Sequence, residues 1–277
     1  DDGVGIFIGG SNPILNIVTF SNNMSSSHGG GIYNSGGSPV LENVTFTGNT
    51  AVNGGGLNNR NGNAVLRDVS FYENAAQERG GGIYNYLGNP SFTNVTVKRN
   101  SAGTLGGGMF SSGSMPNLTN LHFSENTAEE FGGGLYNFSS HASLTNITIS
   151  DNSAQLRGGG LYNNLSNPTL SNVTISGNSS ENGGGIYNSE NSNPVINNAT
   201  IIDNTASLQG GGFYNSYSNP SISNSIVWGN SPDSISGSLA EVNYTVIQGG
   251  HEGLGNFDAD PLLGPPEENP HYPIYPL

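Results

Sequence analysis

The sequence predicts an all-β solenoid, a single parallel β-helix, on three observations. The triplet Gly-Gly-Gly recurs at 29–31, 54–56, 80–82, 106–108, 132–134, 158–160, 183–185 and 210–212, after a variant first copy, Gly3-Val4-Gly5. The copies align into columns of like residues. The composition starves helices: 43 Gly and 42 Asn stand among 277 residues, and both are poor helix formers. A fixed period of this size marks a repeat architecture.

The spacings are 26, 25, 26, 26, 26, 26, 25 and 27, so nine copies run from Gly3 to Asn230. Each opens, after the glycines, on an apolar residue (Ile6, Ile32, Leu57, Ile83, Met109, Leu135, Leu161, Ile186, Phe213). A mostly aromatic column follows, then a second apolar column from Leu15 to Ile222 and a third from Phe20 to Val227. Seven copies place a Pro before the second apolar column, which suits the first residue of a strand, where the missing N–H does least harm. Three residues beyond the third column stands an Asn in every copy: Asn23, Asn49, Asn74, Asn100, Asn126, Asn152, Asn178, Asn204 and Asn230. One copy cannot bury its own apolar side chains, but stacked copies can. A coil of 25–27 residues suits a three-sided helix in which like lies over like at about 4.8 Å. The Asn column then forms an amide ladder at a corner and tolerates the left-handed backbone that a tight corner needs. The predicted organisation is β-helix repeats over 1–235, a last coil and closing segment over 236–263, and a Pro-rich extended tail over 264–277.

Charged residues make up only 9% of the chain, against about 25% on average, and a column of like charges one strand apart would repel. Six Lys and Arg cannot neutralise a run of phosphates, so nucleic acid is excluded as a partner. No apolar run reaches the roughly 18 residues of a membrane span. The absence of Cys removes disulfides and thiolate metal sites from consideration. No signal peptide is present, and a start at Asp1 fits a mature or trimmed chain.

Gly-Gly-Gly-Ile-Tyr-Asn (29–34) with Phe-Thr-Gly-Asn (46–49), repeated, resembles the repeats of chlamydial polymorphic outer-membrane proteins and of bacterial secreted right-handed parallel β-helix proteins. The segment 242–262 is similar to the closing segment of the choice-of-anchor Q type within that group. The resemblance implies a right-handed coil, as the general crossover bias also does, and an extracellular or cell-surface location. It does not fix the function, because the fold hosts lyases, hydrolases, adhesins and structural proteins.

Catalytic signatures are missing: no G-x-S-x-G elbow, H-E-x-x-H, P-loop or Cys nucleophile occurs. Pectin-lyase-like relatives wall a sugar groove with long loops and use acids, Lys or Arg and often Ca²⁺. Here no copy breaks its period to make such a loop, so no enzyme is expected. His122, in a column of Thr, is expected to face water. Asp258 and Asp260 are the weak candidates for Ca²⁺, the one cofactor considered; an Asx-turn closing the coil is the favoured reading. The aromatic column is the candidate binding site: if Ile32 points inward, alternation sends Tyr33, Tyr84, Phe110, Tyr136, Tyr162, Tyr187 and Tyr214 outward as a stripe for sugar rings, or else they stack on each other. Ice binding fails because the second polar column is too irregular. Of eleven Asn-x-Ser/Thr sequons, Asn43, Asn94, Asn146, Asn172 and Asn198 share one column and read as ladder residues hidden from a glycosyltransferase. Asn117, Asn164 and Asn243 are the better candidates for glycosylation.

Asp1-Asp2 lead straight into the first copy with no capping helix, and an uncovered edge invites pairing. Residues 261–277 hold six Pro and favour an extended chain of about 50 Å. The leading expectation is a non-enzymatic extracellular structural or surface β-solenoid: adhesin, spacer or fibre subunit stacking head to tail on copies of itself. The alternatives are a polysaccharide lyase or hydrolase of the pectin-lyase-like class, and a carbohydrate-binding module that takes glycans on the aromatic stripe.

Overall fold

The computed structural model describes residues 5–239 and 241–264. Every strand pairing in it is parallel, and the described residues contain no helix. Three sheets run along the axis. The first has ten strands, from Ile6–Gly9 through Ile32–Ser35 to Ile235–Gly237, and begins each coil after the glycines. The second, of fourteen strands, starts at Ile14–Asn16. The third has seven short strands, from Thr50–Asn53 to Thr205–Gln209. Register repeats the sequence alignment residue for residue: Ile32 pairs with Leu57, Leu57 with Ile83, and Ile83 with Met109.

The glycines act by two different means. The first of each triplet has a positive φ (59° at Gly29, 67° at Gly80), which L side chains resist. The third lies against the next coil: a Cβ on Gly82 would stand 2.8 Å from the Gly108 carbonyl oxygen and 3.2 Å from the Asn100 side chain. The bends are sharp because one residue turns left-handed at each. The left-handed residue at the ladder corner is the one before the ladder Asn (Glu73, Arg99, Glu125, Asp151, Asp203), not the Asn itself as the sequence suggested. In the second sheet a bend falls inside the strand, where Asn94 and its equivalents have φ near 55° and drop out of the pairing. Each Pro stands just before its strand rather than within it, and its carbonyl accepts from the next coil, as Pro39 does from Val65 N–H at 2.9 Å.

The core is a set of stacked columns. Phe20, Phe46 and Phe71 lie face to face at 5.1 and 4.6 Å. The third side contributes only small residues to the interior: Ala51, Ala76, Ala102, Ala128 and Ala154 are buried there. The tenth coil is shorter. Its strand Ile235–Gly237 spans the division predicted at 235/236 and pairs in register with Phe213–Asn215. The closing segment lies on its edge: Tyr244 N–H donates to Leu254 O at 2.7 Å, and Ile247 N–H to Phe257 O at 2.9 Å. Beyond Gly264, the predicted Pro-rich tail lies outside the described residues, as do Asp1 and Asp2.

Candidate functional site

The aromatic column does not form the open stripe that alternation implied. Its rings point away from the main core, but they make a second buried cluster on the outer face of the first sheet. Phe110 and Tyr162 are 3% exposed; Tyr33, Tyr84, Tyr136 and Tyr187 are also buried, and Tyr214 is half-buried. The cause is the coil spacing, which is about one ring thickness plus contact. From Tyr84 to Tyr214 successive centroids stand 5.2, 5.3, 4.8, 5.0 and 4.9 Å apart, so each ring covers the next. Tyr86, Leu105 and Phe131 close the flanks. From Tyr84 to Tyr187 the ring faces are taken up by neighbouring rings rather than left open for a sugar. Burial pushes the phenols of Tyr84, Tyr136 and Tyr187 up, so they stay neutral.

The six cations divide between two faces. Arg67, Lys98 and Arg99 pair with carboxylates on the second-sheet side: Arg67 with Glu42 at 3.1 Å, Lys98 and Arg99 with Glu125 at 2.8 and 2.7 Å. Hydrogen bonds from Lys98 and Arg99 hold the Glu125 carboxyl below its usual range. His122 lies beside this cluster and is half-buried rather than facing water; burial first, and Lys98 second, lower its pKa to about 4. The other three cations stack on the aromatic face instead. Arg60 lies over Tyr86 at 5.3 Å, Arg79 over Phe110 at 5.7 Å, and Arg157 between Phe131 and Tyr187 at 5.4 and 5.3 Å.

The predicted Asn ladder is continuous. From Asn23 to Asn204 each side-chain amide donates to the Oδ1 of the Asn one coil on, at 2.8–3.0 Å, and Asn230 completes the column. From Asn49 onward each also donates to a backbone carbonyl of the preceding coil, as Asn126 does to Val97 O at 2.8 Å. A second ladder, inside the first sheet, escaped the sequence reading. Asn34, Asn59 and Asn85 are linked at 2.6 and 2.7 Å, and Asn137, Asn163, Asn188 and Asn215 at 2.9–3.0 Å. Its signal was there to find: the third residue after each triplet is Asn in seven of the eight coils, and Ser111 in the other.

The sequon column is a third ladder and, contrary to expectation, it is exposed. Asn94, Asn120, Asn146, Asn172 and Asn198 donate backward along the rod at 3.0–3.2 Å, Asn94 to Asp68. Among the favoured glycosylation candidates, Asn117 is exposed. Asn164 and Asn243 are half-buried and already bonded, to Ser189 Oγ and Glu241 Oε1. Asp258 and Asp260 are exposed and do not converge: Asp258 accepts from Gly249 N–H, and Asp260 from Leu262 N–H in an Asx-turn. Asn256 fastens the closing segment, accepting from Thr245 N–H and donating to Val242 O.

Residues 119–248 match the right handed beta helix region family, and residues 17–35 and 68–86 match the Chlamydia polymorphic membrane protein repeat. The chain is a right-handed parallel β-helix repeat protein. Its repeats are similar, over 17–35 and 68–86, to the polymorphic-membrane-protein repeat. No curated protein matches it. Among solved structures, a trypsin-treated variant of QnrB1, a plasmid-mediated fluoroquinolone resistance protein, aligns at 11% identity over 89% of each chain with a TM-score of 0.25, a likeness that carries no argument.

Proposed function

We propose that the chain is a non-enzymatic structural β-solenoid of the cell surface, a stiff rod that acts as spacer or adhesin stalk. One observation carries the reading: the side chains most able to do chemistry or bind are spent on holding coil to coil. Asn is the most abundant polar residue, and its columns bond to one another along the axis. The aromatic rings stack on themselves, and the coil period stays at 25–27 residues with no loop to wall a groove. The match to a repeat named for membrane proteins of Chlamydia supports a surface location. Among the described residues, no helix is long and apolar enough to cross a membrane. A stalk of this kind resists proteolysis, because opening one coil breaks bonds on both sides. The test is limited digestion followed by electron microscopy: a resistant rod is expected. Cleavage of an acidic polysaccharide by the purified chain, with or without Ca²⁺, would overturn the reading.

End-to-end assembly is a finer part of the same proposal. Among the described residues, Phe7, Ile14, Ile17 and Met24 of the first copy are well exposed, apolar side chains that a further coil, of this chain or of another copy, would cover. A second copy of the chain is the proposed occupant. Light scattering should then show polymers that disappear when 264–277 is deleted. A strict monomer at all concentrations would refute this part and leave the rod intact.

A further inference from the structure

Three Asn-Gly steps occur in the chain: Asn53-Gly54, Asn61-Gly62 and Asn182-Gly183. At such a step the backbone nitrogen can reach the preceding side chain, because Gly has no Cβ to obstruct the approach. The fold treats the three differently. Asn53 and Asn182 each end a strand of the third sheet and are half-buried. The nitrogen that would react is locked there: Gly54 N–H donates to Arg79 O and Gly183 N–H to Gln209 O, each at 3.0 Å. Asn61-Gly62 lies instead at the corner after the first sheet. Asn61 is exposed, and its own N–H is held by Tyr86 O at 2.8 Å. Among the described residues, Gly62 N–H donates no hydrogen bond and the Asn61 side-chain amide makes none. The neighbouring coils place Gly36, Leu87 and Gly113 at this corner, so no other amide stands beside it.

We propose that Asn61 is a site of spontaneous covalent modification, the Asn-Gly step that the folded rod leaves open to deamidation. Water is the co-reactant. The Gly62 nitrogen, its proton taken by hydroxide, attacks Asn61 Cγ. A Cγ–N bond forms, the Cγ–Nδ2 bond breaks, and ammonia leaves with a proton from water. A second water opens the five-membered succinimide at one carbonyl or the other, giving an aspartyl or an isoaspartyl residue at position 61. Nothing is oxidised or reduced. Either product adds a negative charge to a corner that carries none in the coils on either side. The isoaspartyl product also adds a carbon to the main chain beside Gly62, which has no room to spare. The Gly62 carbonyl accepts from Asn59 Nδ2 at 2.8 Å, and a Cβ on Gly62 would run into the Asn34 amide. The added carbon therefore strains the interior ladder between Asn34 and Asn59. This chemistry goes beyond the structural role and can fail while the rod stands.

The test is incubation of the full chain at neutral and at alkaline pH, folded and in guanidinium chloride. Peptide mass spectrometry follows each Asn-Gly step, and an isoaspartyl methyltransferase counts the isoaspartyl product. In denaturant the three steps are equivalent and should convert at similar rates. In the folded chain Asn61 should convert about tenfold or more faster than Asn53 and Asn182, whose nitrogens react only after local opening. Its rate should rise with pH, because the attack needs the deprotonated nitrogen. Asn61→Ser, which places at this corner the residue that Ser139 supplies in a later coil, should remove the early ammonia release and leave the melting temperature unchanged. Asn61→Asp, which adds the charge without the carbon, should melt with the wild type. The proposal is overturned if the three steps convert equally fast in the folded chain, if Asn53 or Asn182 converts first, if Asn61 stays intact there while all three convert in denaturant, or if Asn61→Ser releases ammonia as the wild type does.

Discussion

A single ladder amide is saturated. Asn126 Oδ1 accepts from both the backbone N–H and the Nδ2 of Asn100, each at 3.0 Å, and its own Nδ2 donates to Asn152 Oδ1 and to Val97 O, each at 2.8 Å. Asn126→Ala would leave donors and acceptors unpaired in two neighbouring coils, at a cost of about 3 kcal/mol or more in urea unfolding. Asn146→Ala, in the exposed ladder where water replaces the lost partners, should cost about 1 kcal/mol or less. Equal losses would mean that burial does not set the strength of these ladders. The interior ladder offers the opposite experiment. Ser111 is too short to reach, so Asn85 Nδ2 falls back on Ser111 and Ser114 at 3.3 and 3.0 Å, and Asn137 Oδ1 accepts no bond among the described residues. Ser111→Asn would rejoin the two runs and should raise stability by about 1 kcal/mol; a decrease would show that the Ser111, Ser114 and Ser140 hydroxyl cluster is the better solution at this coil. His122 supplies the pH dependence. Its neutral form is favoured in the folded state, where its pKa falls from 6.5 to about 4. The unfolded chain therefore takes up the proton first, and the stability this residue contributes is present above about pH 6.5 and lost as pH falls toward about 4. The Glu125 carboxyl, held below its usual range, adds a loss of the same sign at lower pH. Replacing His122 by Thr, the residue usual in that column, should flatten the melting-temperature curve between pH 6.5 and 4; parallel curves would contradict the assignment.

At the scale of the element, the aromatic column behaves as a small second core. Tyr162 lies between Tyr136 and Tyr187, is flanked by Phe131, and accepts a hydrogen bond from Ser189 Oγ at 3.0 Å. Tyr162→Ala should cost about 3 kcal/mol, whereas the same change at the half-buried Tyr214 should cost distinctly less. The sequence made the direction of these rings legible, because alternation fixes which side of a strand a residue faces. It did not make their burial legible, because coverage depends on the neighbouring coil and on Leu105 and Phe131 one corner away. The corner ladder could be read because its Asn column is unbroken from Asn23 to Asn230. The interior ladder was hidden by Ile8 and Ser111, and by the habit of reading an inward position as apolar. Arg79 beside Glu78 reads in the sequence as a surface pair, but no ion pair joins them among the described residues and the guanidinium lies over Phe110 instead, a ring that only the coil register brings to it.

At the scale of the molecule, the coils behave as floors of equal height. Glycine sets that height, since a Cβ at Gly82 would press on the coil above, and the ladders lock it. Columns therefore rise by a constant step whatever their residues, and the step is the strand spacing rather than a function of chain length between the points. This can be measured directly, because the chain has no Cys and accepts labels at chosen sites only. Val65, Thr169, Val195 and Ser221 occupy one surface column of the second sheet, joined through successive register pairs. With Cys introduced pairwise at 65/169, 65/195 and 65/221 and spin-labelled, electron–electron double resonance should give mean separations of about 19, 24 and 29 Å, rising by one strand spacing per repeat. Separations that fail to rise in equal steps of that size would contradict the stacked-coil account.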